Sequence, residues 1–172
     1  MSRSRELPTR EELRTWREFI ETTQALTTLL TSRLHADTGL SPGDYAVLLT
    51  LAEATEQRVR SSELAASIGW ERSRLSHHLG RMQRRGLIRR EESAADSRGA
   101  NVVLEPAGAE AFHAATVPHL RAIRELFIDA LSAEQLAAAD DITTALQAHL
   151  SRAAAIRRLP SSIRREIPQG DS

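Results

Sequence analysis

The stretch from residue 61 to residue 84 is rich in side chains that hydrogen-bond phosphates and the edges of bases. Arginine presents a planar fork of donors that fits guanine or phosphate, and serine and histidine add further donors and acceptors. The candidates for contacts with base edges are Arg72, Ser73, Arg74, Ser76 and His77. The candidates for contacts with phosphates are Ser61, Ser62, Arg81 and Arg84. Arg74 is the best single candidate for a bidentate contact with guanine. The alternative for Arg72 and Arg74 is a contact with phosphate alone, or a pair with Glu71.

Two helices separated by Gly69 are expected to position these side chains. The second should run from Trp70 to Arg85 and close at Gly86. His78 falls on its core side, whereas His77 points outward. The apolar residues expected to face the core are Leu64, Ala65, Ile68, Leu75, Leu79 and Met82. Two helices joined by a tight glycine turn, the second with a polar outer face, form the helix-turn-helix pattern.

A β-hairpin, or wing, is predicted directly after the second helix. Its extended runs are Leu87 to Glu91 and Asn101 to Leu104, linked by Ser93 to Ala100. Arg98 at the tip is the candidate for the minor groove, where the potential is most negative and a guanidinium sheds water easily. For Asp96, the alternative is an ordinary turn residue.

The residues around the wing resemble the MarR family, the winged helix-turn-helix repressors named for multiple antibiotic resistance. The matching motifs are Gly-Leu-Ile-x-Arg at 86–90 and D-x-R-x-x-x-V-x-L at 96–104. The flanking helices fit as well, so the resemblance covers nearly the whole chain. It implies a homodimer in which Asp96 braces the wing and aims Arg98. Glu105 stands where the family commonly has Thr, and Glu is a poorer helix cap.

The resemblance also implies an effector, because many members of the family bind small organic anions or phenols. Such ligands occupy the crevice between the dimer helices and the DNA-binding lobe. The residues that could line it here are Trp16, Phe19, His35 and Tyr45, with core packing as the alternative for each. A ligand there would change the spacing of the two lobes and relieve repression.

The distribution of charge favours a nucleic-acid partner, although the net charge is zero. Residues 58–98 hold ten arginines against five acidic residues, a net charge of +5, whereas residues 1–57 carry −3 and residues 99–172 carry −2. Such a concentration is the electrostatic footprint of a DNA-binding surface. All 23 basic residues are arginine.

Composition excludes several other classes of protein. The chain has no cysteine, so disulfides and thiolate metal sites are excluded. The spacing of the six histidines gives no metal-ligand cluster, and we expect no metal and no cofactor. We find no signal peptide and no membrane-spanning run, which favours the cytoplasm. No Gly-rich phosphate loop, ordered Ser/His/Asp set or catalytic domain is present, so we expect no enzyme.

Long amphipathic helices flank the winged helix in the predicted architecture. Thr9 should cap a helix to about His35, and Ser41 should cap the next with Pro42 at its first position. Ser61 or Ser62 is the expected cap of the first helix of the helix-turn-helix. After the wing, a helix starting at Pro106 contains Pro118, which should kink it or remove one backbone hydrogen bond. Ser132 starts a last helix that ends at Leu159-Pro160.

The expected fold is therefore mainly α with a small β-hairpin wing (α+β). We expect an N-terminal dimerisation helix at 1–35, a winged helix-turn-helix at 36–105, C-terminal dimerisation helices at 106–159 and a flexible tail at 160–172. The predicted function is a homodimeric, sequence-specific regulator of transcription. It would be a repressor that binds a pseudo-palindromic duplex operator. The alternative is a winged-helix module for protein–protein contact without a specific DNA target, which the arginine concentration argues against.

Overall fold

The computed structural model describes residues 7–92 and 100–158, which form a mainly helical fold with one small sheet. The chain divides after Leu126 into two compact units, and the first contains every α-helix and strand except the last helix. The fold class predicted from the sequence is confirmed. The helices are α1 (Arg10–Thr38), α2 (Pro42–Glu53), α3 (Ser61–Ser67), α4 (Arg72–Arg84), α5 (Pro106–Ile123) and α6 (Ala133–Arg158). The strands are β1 (Arg58–Arg60), β2 (Ile88–Glu92) and β3 (Ala100–Leu104).

The predicted caps of α1 and α2 are both confirmed, each as a reciprocal capping box. The Thr9 hydroxyl accepts a hydrogen bond from the backbone of Glu12, whose carboxylate accepts one from the Thr9 backbone. Ser41 and Asp44 repeat this arrangement at the start of α2. At its other end α1 passes the predicted limit of His35 and stops at Gly39, whose φ of 70° favours glycine.

The sheet has three antiparallel strands in the order β1-β3-β2, one more than the predicted hairpin. Val102, at the centre of β3, pairs with Val59 on one side and with Arg90 on the other. A strand of three residues is too short to show an alternating pattern in the sequence, and only its pairing with β3 stabilises it. β1 was therefore not predicted from the sequence.

The start of α3 differs from the prediction because β1 runs directly into it. Arg60, in an extended conformation, occupies the cap position and its side chain does not cap the helix, so the expected cap by Ser61 or Ser62 is wrong. α4 begins at Arg72, two residues after the predicted Trp70. Gly69 between the two helices has a φ of 66°, which confirms the predicted glycine turn.

The starts of the last two helices agree with the prediction. α5 begins at Pro106 without a side-chain cap from Glu105, and it continues through Pro118 to Ile123. A π-helical segment, Arg124–Ile128, follows it. Ser132 caps α6, because its hydroxyl accepts from the backbone of Gln135 at 3.3 Å. The predicted stop at residues 159–160 lies outside the described residues.

The hydrophobic core of the first unit lies directly beneath α4. The largest side chains that are fully buried come from α2, α3, α4, the sheet and the link between α1 and α2. They are Leu40, Leu48, Leu51, Leu64, Leu75, Leu79, Met82, Ile88, Val47 and Val102. Close packing of this kind holds α4 on a rigid base. No helix within residues 7–92 and 100–158 is long and apolar enough to cross a membrane.

Candidate nucleic-acid interface

One side of α4 is buried and the other is exposed, as the sequence predicts. Leu75, His78, Leu79 and Met82 lie in the core. The seven predicted contact residues of this helix are all exposed, namely Arg72, Ser73, Arg74, Ser76, His77, Arg81 and Arg84. At 100° per residue, Ser73, His77 and Arg84 lie almost opposite the buried side. The helix therefore presents hydroxyl, imidazole and guanidinium groups on a single outer surface.

Two of the predicted arginine contacts already have partners within the chain. The guanidinium of Arg74 stacks 4.3 Å from the centre of the Trp70 ring. Stacking uses the face of the guanidinium and leaves its N–H donors, which lie in the plane, available for a base or a phosphate. Arg81 lies with Nη2 2.8 Å from Nδ1 of His78. Both side chains are thus held at the surface in defined positions.

Beneath α4, a buried cluster joins the inner side of this helix to the start of α2. Asp44 is 4% exposed, and its Oδ2 accepts hydrogen bonds from the backbone of Ser41 at 3.0 Å and from Arg85 at 2.7 Å. Its Oδ1 lies 3.0 Å from Nε2 of His78, close but without the alignment of a full hydrogen bond. The bond between Arg85 and Asp44 thus connects the end of α4 to the start of α2, 41 positions apart in the sequence.

The same cluster sets the charge states of its members. Burial opposes the charge on Asp44, but the hydrogen bonds from Ser41 and Arg85 outweigh it, so the pKa of Asp44 lies below its ordinary value. Burial lowers the pKa of His78, and Arg81 and Arg85 lower it further against the pull of Asp44. His78 is therefore neutral at pH 7, with Nδ1 free to accept from Arg81.

Ion pairs brace the base of the wing. Arg89 donates to Glu91 and, at 2.7 Å, to Glu105, which joins β2 to the start of α5. Arg58 on β1 lies 3.0 Å from Glu91. Hydrogen bonds from Arg89 hold the pKa of Glu91 below its ordinary value. Glu105, a departure from the usual residue of the family, thus acts as an ion-pair partner. The predicted contacts Asp96 and Arg98 lie outside the described residues.

A cavity of about 210 Å³ opens between α3, α4 and the sheet. It brings together four predicted contact residues, namely Ser61, Ser62, Arg72 and Ser76. It also contains Arg90 of β2, the last residue of the Gly-Leu-Ile-x-Arg motif, which was not among the predicted contact residues. The antiparallel pairing of β2 with β3 turns Arg90 toward α4, and the motif alone does not reveal this direction.

The four effector candidates are not brought together within the described chain. Tyr45 lines a second cavity of about 190 Å³ between α1, α2 and α5, together with Leu34 and His119. His35 is exposed, and Trp16 and Phe19 are 60% and 45% exposed. Trp16 lies in a separate shallow pocket at the start of α1. His119, which lines the same cavity as Tyr45, was not among the predicted effector-binding residues. Within the described residues, no group of His, Cys, Asp or Glu could hold a metal ion.

Comparison with known proteins finds a family of transcriptional regulators that includes proteins of the same fold. The model of the MarR family matches residues 38–99. The transcriptional regulator HosA of Escherichia coli O157:H7 is 37% identical over 97 residues, which are 56% of this chain and 69% of HosA.

The chain belongs to the MarR family.

Two solved structures of MarR-family regulators from Streptomyces coelicolor are similar over most of the chain. AbsC has a TM-score of 0.79 and 34% identity, covering 86% of this chain and 99% of AbsC. Sco3205, solved in complex with DNA, has a TM-score of 0.77 and 31% identity, covering 97% of each chain. The matched region 38–99 contains α2 to β2, which include the whole predicted contact surface of α3 and α4.

Proposed function

We propose that this MarR-family protein is a homodimeric repressor that binds a pseudo-palindromic site in double-stranded DNA. The observation that carries the proposal is the outer surface of α4. Its arginine, serine and histidine side chains are exposed on a helix whose other side is fixed in the core. A rigid helix with such a surface suits the major groove. The similarity to Sco3205, solved with DNA, supports the same reading.

The exposed apolar side chains of the long helices support a dimer. On α1 they are Leu13, Trp16, Phe19, Ile20 and Leu29, on α5 Val117 and Leu120, and on α6 Ile142, Leu146 and Leu150. Apolar surface of this extent marks contact with a partner. A second copy related by a two-fold axis is the commonest solution. It would place two α4 helices in successive major grooves, about 34 Å apart.

A small effector is the third part of the proposal, and the Tyr45 cavity is its site. The volume of about 190 Å³ suits a compound with one aromatic ring rather than a drug-sized ligand. Burial lowers the pKa of His119, and its Nδ1 has no hydrogen-bond partner among the described residues. A phenol or carboxylate could supply that partner.

The route from this cavity to α4 is short. Pro42 lines the cavity, and Ser41 and Asp44 beside it connect through Arg85 and His78 to α4. A ligand that displaced the start of α2 would therefore bias the position of α4. It would release DNA if it bound the displaced form more tightly.

DNA binding and dimerisation are tested together by titration at two salt concentrations. The molecular mass of the protein in solution is first measured by sedimentation equilibrium. The protein is then titrated into a fluorescent mixed-sequence duplex at about 50 and about 200 mM salt. We expect a dimer whose affinity falls by roughly 10³-fold or more, because each phosphate contact releases counterions. A monomer, or an affinity that does not respond to salt, contradicts the proposal. The second result would instead favour a protein–protein module.

The effector is tested with a panel of single-ring aromatic acids and phenols. We expect at least one to raise the melting temperature of the wild-type protein and to release the duplex. His119→Leu should abolish that shift, whereas His149→Leu, at an exposed position on α6, should retain it. If no compound shifts the melting temperature, the effector part of the proposal fails and the DNA-binding part stands.

A further inference from the structure

Arg90 links the wing to the middle of α4. It lies on β2 opposite Val102 of β3, and its Nη2 donates to the backbone carbonyl oxygen of Ser76 at 2.5 Å. Its Nε is buried and has no hydrogen-bond partner among the described residues. The side chain also lines the cavity that contains Ser61 and Arg72. Arg90 therefore bridges two elements that each carry predicted contacts with DNA.

The position of the accepting carbonyl oxygen allows this hydrogen bond to fix the rotation of α4. Ser76 is near the centre of α4, and its side chain is exposed. A carbonyl oxygen has two lone pairs, so that of Ser76 can accept from Arg90 as well as from the next helical turn. The bond is charge-assisted and directional. Rotation of α4 about its own axis would break it.

The other end of the bridge is equally fixed. Backbone pairing between β2 and β3 continues from Ile88 to Glu92, so Arg90 sits at the centre of the ladder. Arg89, the preceding residue, points to the opposite side and pairs with Glu91 and Glu105 instead. The two neighbours carry the same charge, but only Arg90 reaches α4.

We propose that Arg90 is a positioning residue for operator recognition, which sets the rotation of α4 relative to the wing so that both fit one duplex. The inference rests on the proposed DNA binding. A direct contact between Arg90 and a phosphate is the competing role. The two differ in sequence dependence, because a phosphate contact strengthens binding to every duplex, whereas a correctly rotated helix strengthens binding only where bases are read.

The test compares Arg90→Met with Arg152→Met, two variants of equal net charge. Each is titrated into a duplex that the wild-type protein enriches from a random pool, and into a scrambled duplex of the same composition. For Arg90→Met we expect the ratio of the two affinities to fall on the order of tenfold, the size of one lost charge-assisted hydrogen bond. The slope of log affinity against log salt should stay unchanged. Arg152→Met, at an exposed position on α6, which carries none of the predicted contacts with DNA, should retain the wild-type ratio.

Two results would overturn the inference. If Arg90→Met keeps the wild-type ratio, Arg90 does not position α4. If it weakens both duplexes equally and makes the salt slope less steep, Arg90 contacts phosphate. Circular dichroism and melting temperature verify the fold, and Arg90→Lys, which keeps the charge but loses the planar fork, takes its place if Arg90→Met is unfolded. If the wild-type protein prefers no duplex, the proposed function itself fails, which is a distinct outcome.

Discussion

Replacing Asp44 by alanine should destabilise the protein more than the same replacement of an exposed carboxylate would. The substitution removes one half of the capping box with Ser41, and that half contributes about 1 kcal/mol. It also removes the bonds to Arg85 and the contact with His78. A hydrogen bond to a charged group contributes about 1.5–3 kcal/mol, and the lower end applies here because Arg85 is half exposed and rehydrates. The expected loss is therefore about 2–4 kcal/mol.

Urea unfolding at one fixed protein concentration measures this loss, since the stability of a dimer depends on concentration. Asp37→Ala is the matched control, because Asp37 is an exposed carboxylate on α1 and should change the free energy of unfolding by no more than about 0.5 kcal/mol. If Asp44→Ala costs less than about 1 kcal/mol at an unchanged urea dependence, the cluster does not join α2 to α4 as described.

Three further predictions concern pH, salt and the wing. The pKa of His78 lies below its ordinary value of 6.5, so the unfolded chain binds the proton first and the free energy of unfolding should decrease as the pH falls through 6.5. The pKa of Asp44 is also lowered, which adds a loss below about pH 3.8. His78→Gln should flatten the upper part of this curve in urea titrations, and an identical curve would refute the assignment. Arg84→Ala should make the slope of log affinity against log salt less steep by about 1.8, for two contacts in a dimer, whereas an unchanged slope would mean a solvated arginine. Arg98→Ala should weaken operator binding in gel-shift titrations while leaving the dimer folded, and unchanged affinity would refute the wing assignment.

Local chemistry explains what the sequence predicted correctly. A capping box needs only four consecutive residues, so Thr9 and Ser41 reveal the starts of α1 and α2. The apolar spacing of Leu75, Leu79 and Met82 reveals the buried side of α4. Because the opposite side must then be exposed, the predicted contact surface of α4 followed from the same pattern.

Features that depend on distant partners were missed. β1 exists because Val59 pairs with Val102, 43 positions away, and three residues carry no period of their own. The contact of Arg90 with Ser76 and that of Asp44 with Arg85 likewise join residues 14 and 41 positions apart. Periodicity reports which side of an element is apolar, but it does not report which polar groups meet across the core.

Selection of bound sequences from a random pool of duplexes tests the central claim most directly, that two copies of α4 read one site. The account predicts enrichment of a motif with two-fold symmetry, whose half-sites are centred about 10 base pairs apart, one turn of the double helix. Recovery of the unselected pool, or of a motif without symmetry, would contradict it.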